Sequence, residues 1–394
     1  MADVYAATTP NASRGRGPAS TAPSVDRVEL AHRLWRIGAA HVSTGNRVTL
    51  LRNGPATFDA MLARIANARE RVSLESYIVH SDAVGERFAP ELINAARRGV
   101  RTRVLFDWIG SRATSHRFVR SLREGGVQVG VFNRLSLTTR WFGLLPRDHR
   151  KLLVVDGKGG VIGGIGVGHE WMTGAKRRGH DGSPWRDTAV EIEGPAARDM
   201  EHAFERSWDR VLHPGYRDSN ASRPTEPLSM DQLDDDLAMV AIMEGEPGRY
   251  RVTRSLELTA VAAKRSIWIS DAYFMPNLTV MEALTGAARD GVDVRLLVPS
   301  RGDHPWMVRA TRRYYPRLLK NGVRIWEWQG EMMHAKTNVV DGRFVRIGST
   351  DFNLLGMAIN FELDAMIEDT ALGDATNAMF EEDIAQSRPM TVAR

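Results

Sequence analysis

The 394-residue sequence contains no cysteine, which excludes a disulfide scaffold, thiolate metal sites and any cysteine nucleophile. Long hydrophobic runs are missing too. No stretch approaches the ~18 consecutive apolar residues of a spanning helix, and the opening MADVYAATTPNASRGRGPASTAPS holds no apolar core of a secretion signal. The most apolar region, KLLVVDGKGGVIGGIGVG, carries charges and seven glycines and reads as two short buried strands joined by a turn. Neither sign of charge dominates: 53 Lys and Arg against 48 Asp and Glu leave a net +5. That mildly basic balance fits an anionic substrate or surface without choosing between nucleic acid and lipid headgroups. What is present, 43% hydrophobic and 26% charged residues, is a globular composition long enough for two or three ordinary domains.

Residues 1–25, rich in Ala, Ser, Thr, Pro and Gly, read as a disordered start. Residues 26–46 read as an N-terminal helical segment, with a helix over about 28–42. Leu30, Leu34 and Ile37 share one face beside Arg27, Arg33 and Arg36, so this helix either packs on the body or contacts an anionic membrane. The rest is an internal repeat. ARERVSLESYIV answers AKRSIWISDAYF, pairing Tyr77 with Tyr273 at an offset of 196. AARRGVRTRVLFD answers AARDGVDVRLLVP, pairing Gly99 with Gly291, and LREGGVQV answers LLKNGVRI, pairing Val127 with Val323. Each half reads strand, helix, strand, helix, strand, then a strand pair, which predicts an α/β fold of two related lobes, 47–210 and 238–394, joined by a linker over 211–237.

Each half also carries His-x-Lys-x4-Asp: His149, Lys151, Asp156 and His334, Lys336, Asp341. A small pair follows seven residues after each Asp, Gly163-Gly164 and Gly348-Ser349. Positions i and i+2 of a strand face one side, so imidazole and ammonium project together. Metal ligation would put a fixed cation beside the metal, which is unfavourable. Phosphodiester chemistry uses the same groups better: lysines bind the phosphate, one histidine attacks phosphorus and the other protonates the leaving oxygen. That division needs one neutral and one protonated imidazole. Two buried structural histidines would leave the paired lysines unexplained.

The duplicated HxKxxxxD motif resembles that of the phospholipase D superfamily, over about residues 47–385. Within it, SLESYIVHSDAVGERF, RVLFDWIGS, SDAYFMP, RGDHPWMVRATRRYYPRLLKNGVRIWEW and HAKTNVVDGRFVRIGSTDFN look most like the bacterial cardiolipin synthase branch. The resemblance implies two pseudo-twofold-related α/β sandwich lobes with the active site between them, a phosphohistidine intermediate, and no metal or other cofactor. It also implies that His149 is the nucleophile, His334 the general acid, and Lys151 and Lys336 the phosphate-binding lysines. Asp156 and Asp341, each before a glycine at a strand end, suit a turn-stabilising role as well as a catalytic one. Asp187 in WRDTAVEIEGP and Glu362 in NFELDAMIED match the acidic residues that orient the histidines. Gly166 and Asp351 stand where the family usually has a phosphate-contacting Asn, and Asn353 or Ser349 is left as a nearby supporting donor.

The superfamily acts on lipids and on nucleic acids. NRLSLTTRWFGLLPRDHR puts Trp141, Phe142, Leu144 and Leu145 between Arg140 and Arg147, just before the first motif. It reads as a loop folded over the lobe, as a lip dipping into a bilayer, or as a base-stacking platform. The cluster ATRRYYPRLLK puts Arg312, Arg313, Arg317 and Lys320 on one helix, either solvated or bound to headgroups. His169 and Glu170 lie just past the first small pair and either line the pocket or form an ordinary loop. The likeness to cardiolipin synthases favours anionic phospholipids, phosphatidylglycerol and cardiolipin, met at the cytoplasmic face of a membrane by peripheral attachment through residues 28–42 or 138–146. The resemblance thus implies a phosphatidyltransferase, the alternatives being a phospholipase D hydrolase or a metal-independent phosphodiesterase or nuclease acting on nucleic acid.

Overall fold

The computed structural model describes residues 33, 36–134, 146–173, 182–213 and 237–391. In the first half, β1 (Val42–Arg52), α1 (Asn53–Asn67), β2 (Arg71–Ser76), α2 (Ala83–Arg97), β3 (Arg101–Asp107), α3 (His116–Glu124) and β4 (Gln128–Phe132) are followed by β5 (Lys151–Val155), β6 (Gly159–Gly163), β7 (Thr188–Glu193) and α4 (Ala196–Leu212). The second half repeats this order: β8 (Ala238–Gly245), α5 (Arg251–Ala262), β9 (Ser266–Ser270), α6 (Leu278–Arg289), β10 (Asp293–Pro299), α7 (Pro305–Arg312), α8 (Tyr315–Lys320), β11 (Arg324–Trp328), β12 (Thr337–Val340), β13 (Phe344–Gly348), β14 (Glu362–Glu368) and α9 (Thr370–Ala385), closed by β15 (Ser387–Met390).

The fifteen strands of the described residues form one sheet, in the order β15-β11-β10-β9-β12-β13-β14-β8-β1-β7-β6-β5-β2-β3-β4. Read outward from the centre, β1-β7-β6-β5-β2-β3-β4 mirrors β8-β14-β13-β12-β9-β10-β11, so the repeat becomes a pseudo-twofold relation. Its seam is the antiparallel β1–β8 pairing, Val42 opposite Ala241 and Asn46 opposite Ala238, with a bulge between Ser43 and Asn46. The motif strands are buried at every residue (KLLVV in β5, TNVV in β12), as expected where both faces of a sheet are covered. On one face, Phe58, Ile65, Phe88 and Leu92 of α1 and α2 pack on the first half. Leu256, Met281, Leu284 and Leu318 of α5, α6 and α8 pack on the second. On the other face a single cluster joins Met200, Phe204 and Trp208 of α4 with Leu372 and Phe380 of α9. One core therefore runs beneath the seam.

Several expected elements differ. Of the helix expected over 28–42, Arg33 and residues 36–38 are helical among the described residues, and the chain enters β1 at Val42. Asn46 fixes that entry: its Nδ2 donates to Ser43 O (3.1 Å) and Ala238 O (3.3 Å), and its Oδ1 accepts from Ala196 N (2.9 Å). Arg312, Arg313, Arg317 and Lys320 do not share one helix. α7 ends at Arg312 and α8 restarts at Tyr315, and Arg312 is bound to Glu327 (2.7 and 3.0 Å). Residues 1–25, 135–145 (with Trp141 and Phe142) and 214–236 lie outside the described residues.

Candidate active site

Each motif histidine sits just before its strand, on a segment that crosses to the other half. His149 N donates to Phe361 O (2.8 Å) and Phe361 N to Arg147 O (2.8 Å). In the mirrored contact, His334 N donates to Arg186 O (2.7 Å) and Arg186 N to Met332 O (2.8 Å). Backbone pairing thereby carries each histidine to the acidic residue of the opposite half. His149 Nδ1 lies 3.0 Å from Glu362 Oε2, and His334 Nδ1 lies 2.7 Å from Asp187 Oδ2. A carboxylate at Nδ1 orients each ring, and Lys336 Nζ lies 3.1 Å from His334 Nε2.

The lysines flank this pair. Lys151 Nζ donates to His149 O (2.5 Å) and Lys336 Nζ to His334 O (2.7 Å). Each ammonium stands over a tyrosine ring, Lys151 at 5.4 Å from Tyr77 and Lys336 at 5.6 Å from Tyr273. Those tyrosines meet the histidines edge-on, at 4.9 Å for Tyr77–His149 and 6.2 Å for Tyr273–His334. The sequence did contain this signal, since Tyr77 and Tyr273 anchor the repeat, but a repeat does not show what its equivalent residues touch.

The two carboxylates have unlike surroundings. Ser349 Oγ donates to Glu362 Oε2 (2.5 Å), whereas Trp171 Nε1 donates to Asp187 Oδ2 (2.8 Å) and Thr188 N to Asp187 Oδ1 (2.8 Å). Burial pushes the Glu362 carboxyl well above its usual range, with Lys151 and Ser349 only partly opposing. Burial also works against the Asp187 carboxylate, but His334, Lys336 and the N–H donors hold it below the usual range. Burial drives His149 well below the ordinary imidazole range, reinforced by Lys151, Lys336 and His334. Burial and Lys336 lower His334 as well, but there Asp187 pulls the other way. Burial brings Lys151 down to about 8.

The other motif residues separate from this centre. Asp156 and Asp341 end β5 and β12, with left-handed φ of 55° each. Five residue steps of a strand put them roughly 16 Å from the lysines. Asp156 accepts from Arg69 N (3.0 Å), Glu70 N (2.8 Å) and Arg71 N (2.9 Å); Asp341 accepts from Lys264 N (3.0 Å), Arg265 N (2.8 Å) and Ser266 N (2.9 Å). Both side chains therefore cap turns. Asn353 does not face the histidines either. Its Oδ1 caps Leu355 N (2.9 Å) and Gly356 N (3.0 Å), and its Nδ2 donates to Tyr273 O (3.2 Å). Asp351 Oδ1 lies 3.5 Å from Lys336 Nζ, so its charge is met by that lysine. Arg147, at the end of the aromatic segment, is buried on Asp107 (2.5 Å). His169 binds Asp82 (2.8 Å).

Gly166 has a physical explanation. A Cβ there would lie 3.0 Å from Trp171 Cη2 and 3.1 Å from Ile78 Cβ. The Trp171 indole, fully buried and edge-on to His334 at 5.6 Å, occupies the space that an Asn side chain would need. Gly164 is equally constrained, because its Cβ would lie 2.3 Å from Asp187 Oδ1.

Comparison with known proteins adds to this geometry. A family model described as cardiolipin synthase, PLD-like domain, matches residues 61–208 and 259–384. The chain is 34% identical over 339 residues to a cardiolipin synthase of Geobacillus kaustophilus (strain HTA426), covering 84% of this chain and 65% of that protein. It is 36% identical over 361 residues to cardiolipin synthase A of Pseudomonas aeruginosa (strain LESB58), covering 91% and 71%. The chain thus spans about two thirds of the length of these relatives. Among solved structures, a phosphatidylserine synthase of Haemophilus influenzae Rd KW20 shares the fold at a TM-score of 0.68 and 14% identity, over 92% of both chains. A polyphosphate kinase from Porphyromonas gingivalis shares it at 0.54 and 13%, over 85% of this chain and 46% of that one.

Proposed function

The chain belongs to the cardiolipin synthase family of PLD-like proteins, and from that membership we propose that it is a phosphatidyltransferase working between phosphatidylglycerol molecules. His149 Nε2 attacks the phosphorus of one phosphatidylglycerol. The bond from phosphorus to the glycerol oxygen breaks, and His334 gives its proton to that oxygen, so free glycerol leaves and a phosphatidyl-histidine remains. Neutral His334 then takes the proton from a glycerol hydroxyl of a second phosphatidylglycerol. That oxygen attacks phosphorus, the N–P bond breaks, and cardiolipin departs with His149 restored. Lys151 and Lys336 hold the phosphate oxygens.

One observation carries the division of labour: the unequal carboxylates. His149, driven furthest toward the neutral form, suits attack. His334, beside the ionised Asp187, is the better placed to hold a proton. Water reaching the phosphohistidine would give phosphatidic acid instead.

The protein is membrane-associated, and no helix among the described residues is long and apolar enough to cross a membrane. Peripheral docking is supported by large apolar residues around the Tyr273 side of the site: Leu278 (60% exposed), Trp306 (61%), Leu354 (66%) and Leu355 (41%). Leu354 follows Asn353, which bonds Tyr273 O. Trp306 lies two residues from His304, whose ring is 6.0 Å from that of Tyr273, and Leu278 lies three from Met275, whose N bonds Phe352 O (2.8 Å).

Product analysis by mass spectrometry tests the reading. Purified protein is incubated with phosphatidylglycerol vesicles in EDTA, beside a His149→Ala, His334→Ala double variant. Cardiolipin from wild type alone is the expected result. Phosphatidic acid without cardiolipin would make the chain a hydrolase. No lipid product, with cleavage of single-stranded nucleic acid, would overturn the lipid assignment.

A further inference from the structure

Four side chains that the transfer does not use converge beside the turn that carries Trp171. His80 and Asp82 lie between β2 and α2, and Asp82 Oδ1 caps that helix by accepting from Val84 N and Gly85 N (2.9 and 3.1 Å). His169 and Glu170 begin the short 3₁₀ turn His169–Trp171 after β6. One atom from each, two imidazole nitrogens and two carboxylate oxygens, lies within 4.8 Å of all the others. His169 Nδ1 is 2.8 Å from Asp82 Oδ2 and 3.8 Å from Glu170 Oε2; His80 Nδ1 is 3.4 Å from Glu170 Oε1 and 3.9 Å from Asp82 Oδ2. Four ligands at ~2.0–2.1 Å from a tetrahedral ion stand roughly 3.4 Å apart, close to this set of separations.

Hydrogen bonding within the group leaves an atom over. Glu170 Oε2 has no exposed surface and no hydrogen-bond partner. It occupies the space where a side chain on Gly168 would lie, 2.3 Å from that Cβ position, with His80 Nδ1 at 3.3 Å. The glycine leaves that space to the two ligand groups. An orphaned carboxylate oxygen is costly unless something positive completes it.

We propose that His80, Asp82, His169 and Glu170 bind one divalent transition-metal cation, with zinc best matched to two imidazoles and two carboxylates. Four protein ligands leave no open position, so the ion is structural and takes no part in the transfer. Its effect is to tie the His169–Trp171 turn to the N-terminus of α2. Trp171 then holds Asp187 through its indole N–H and packs on His334.

Calorimetric titration of the EDTA-stripped full chain with zinc chloride tests the assignment by binding alone, independently of any turnover. One saturable site per chain is expected. His169→Ala and Glu170→Gln should each weaken it by about 100-fold or more, beyond the 10–100-fold typical of an outer contact. His202→Ala, on the exposed face of α4, should leave it unchanged. The Glu170→Gln variant, with its near-identical shape, guards against misreading a folding defect, and circular dichroism of the stripped variants checks this directly. Zinc should also slow amide exchange over residues 167–172. No saturable site, or one that survives the His80→Ala, His169→Ala double substitution, would overturn the proposal.

Discussion

Asp187 receives three groups at once: His334 Nδ1, the Trp171 indole N–H and Thr188 N. Trp171→Phe keeps the ring and removes one donor. A hydrogen bond to a charged group is worth about 1.5–3 kcal/mol, so we expect kcat to fall on the order of 10- to 100-fold with KM nearly unchanged. Asp187→Asn removes the charge that raises His334, so the protonated form of His334 should be lost at lower pH and the alkaline limb of the rate profile should move down. A limb that stays in place would show that Asp187 only positions the ring. Lys151 gives a second pH effect. Its ammonium persists below about 8 and is lost above it, so KM should rise through that pH, and Lys151→Arg should flatten the rise. At this scale the sequence was informative where chemistry repeats, since both histidines, both lysines and both carboxylates align between halves. It was silent on which half each carboxylate serves, because alignment pairs equivalents and the contacts run between opposites. Trp171 stayed hidden because its relation to Gly166 exists only once β6 and the turn after it are folded.

Asp156 and Asp341 belong to the strand pairs they terminate. Each fills a left-handed position and gathers three backbone N–H groups from the segment entering the neighbouring strand, β2 or β9. Asp341→Ala removes those acceptors and should cost about 2–4 kcal/mol in urea unfolding, with activity per folded molecule retained. Asp341→Asn, which tolerates the left-handed region, should cost less. A collapse of activity in a fully folded Asp341→Asn protein would return the residue to the catalytic machinery. Element order was legible from period and turn residues, but the two strands at the seam were not. β1 was hidden by a helical periodicity that runs up to its first residues, and β8 by its place directly after the linker composition.

At the level of the whole molecule, docking and chemistry are separable. Leu354→Asp with Leu355→Asp places two charges on the apolar rim without touching a histidine or lysine. We expect co-sedimentation with phosphatidylglycerol vesicles to weaken at least about 10-fold, since each buried methylene contributes ~0.8 kcal/mol. Turnover of a short-chain, monomeric phosphatidylglycerol should persist. Unchanged vesicle binding would move the docking face elsewhere. The exchange of carboxylates across the seam carries a further implication. Two identical chains meeting about a true twofold axis are constrained to give both histidines the same neighbour and the same intrinsic basicity, so that either could take either role. Covalent fusion of the halves lifts that constraint. One histidine can keep Glu with Ser and the other Asp with Trp, so a proton donor and a nucleophile coexist in a site whose architecture is otherwise self-similar.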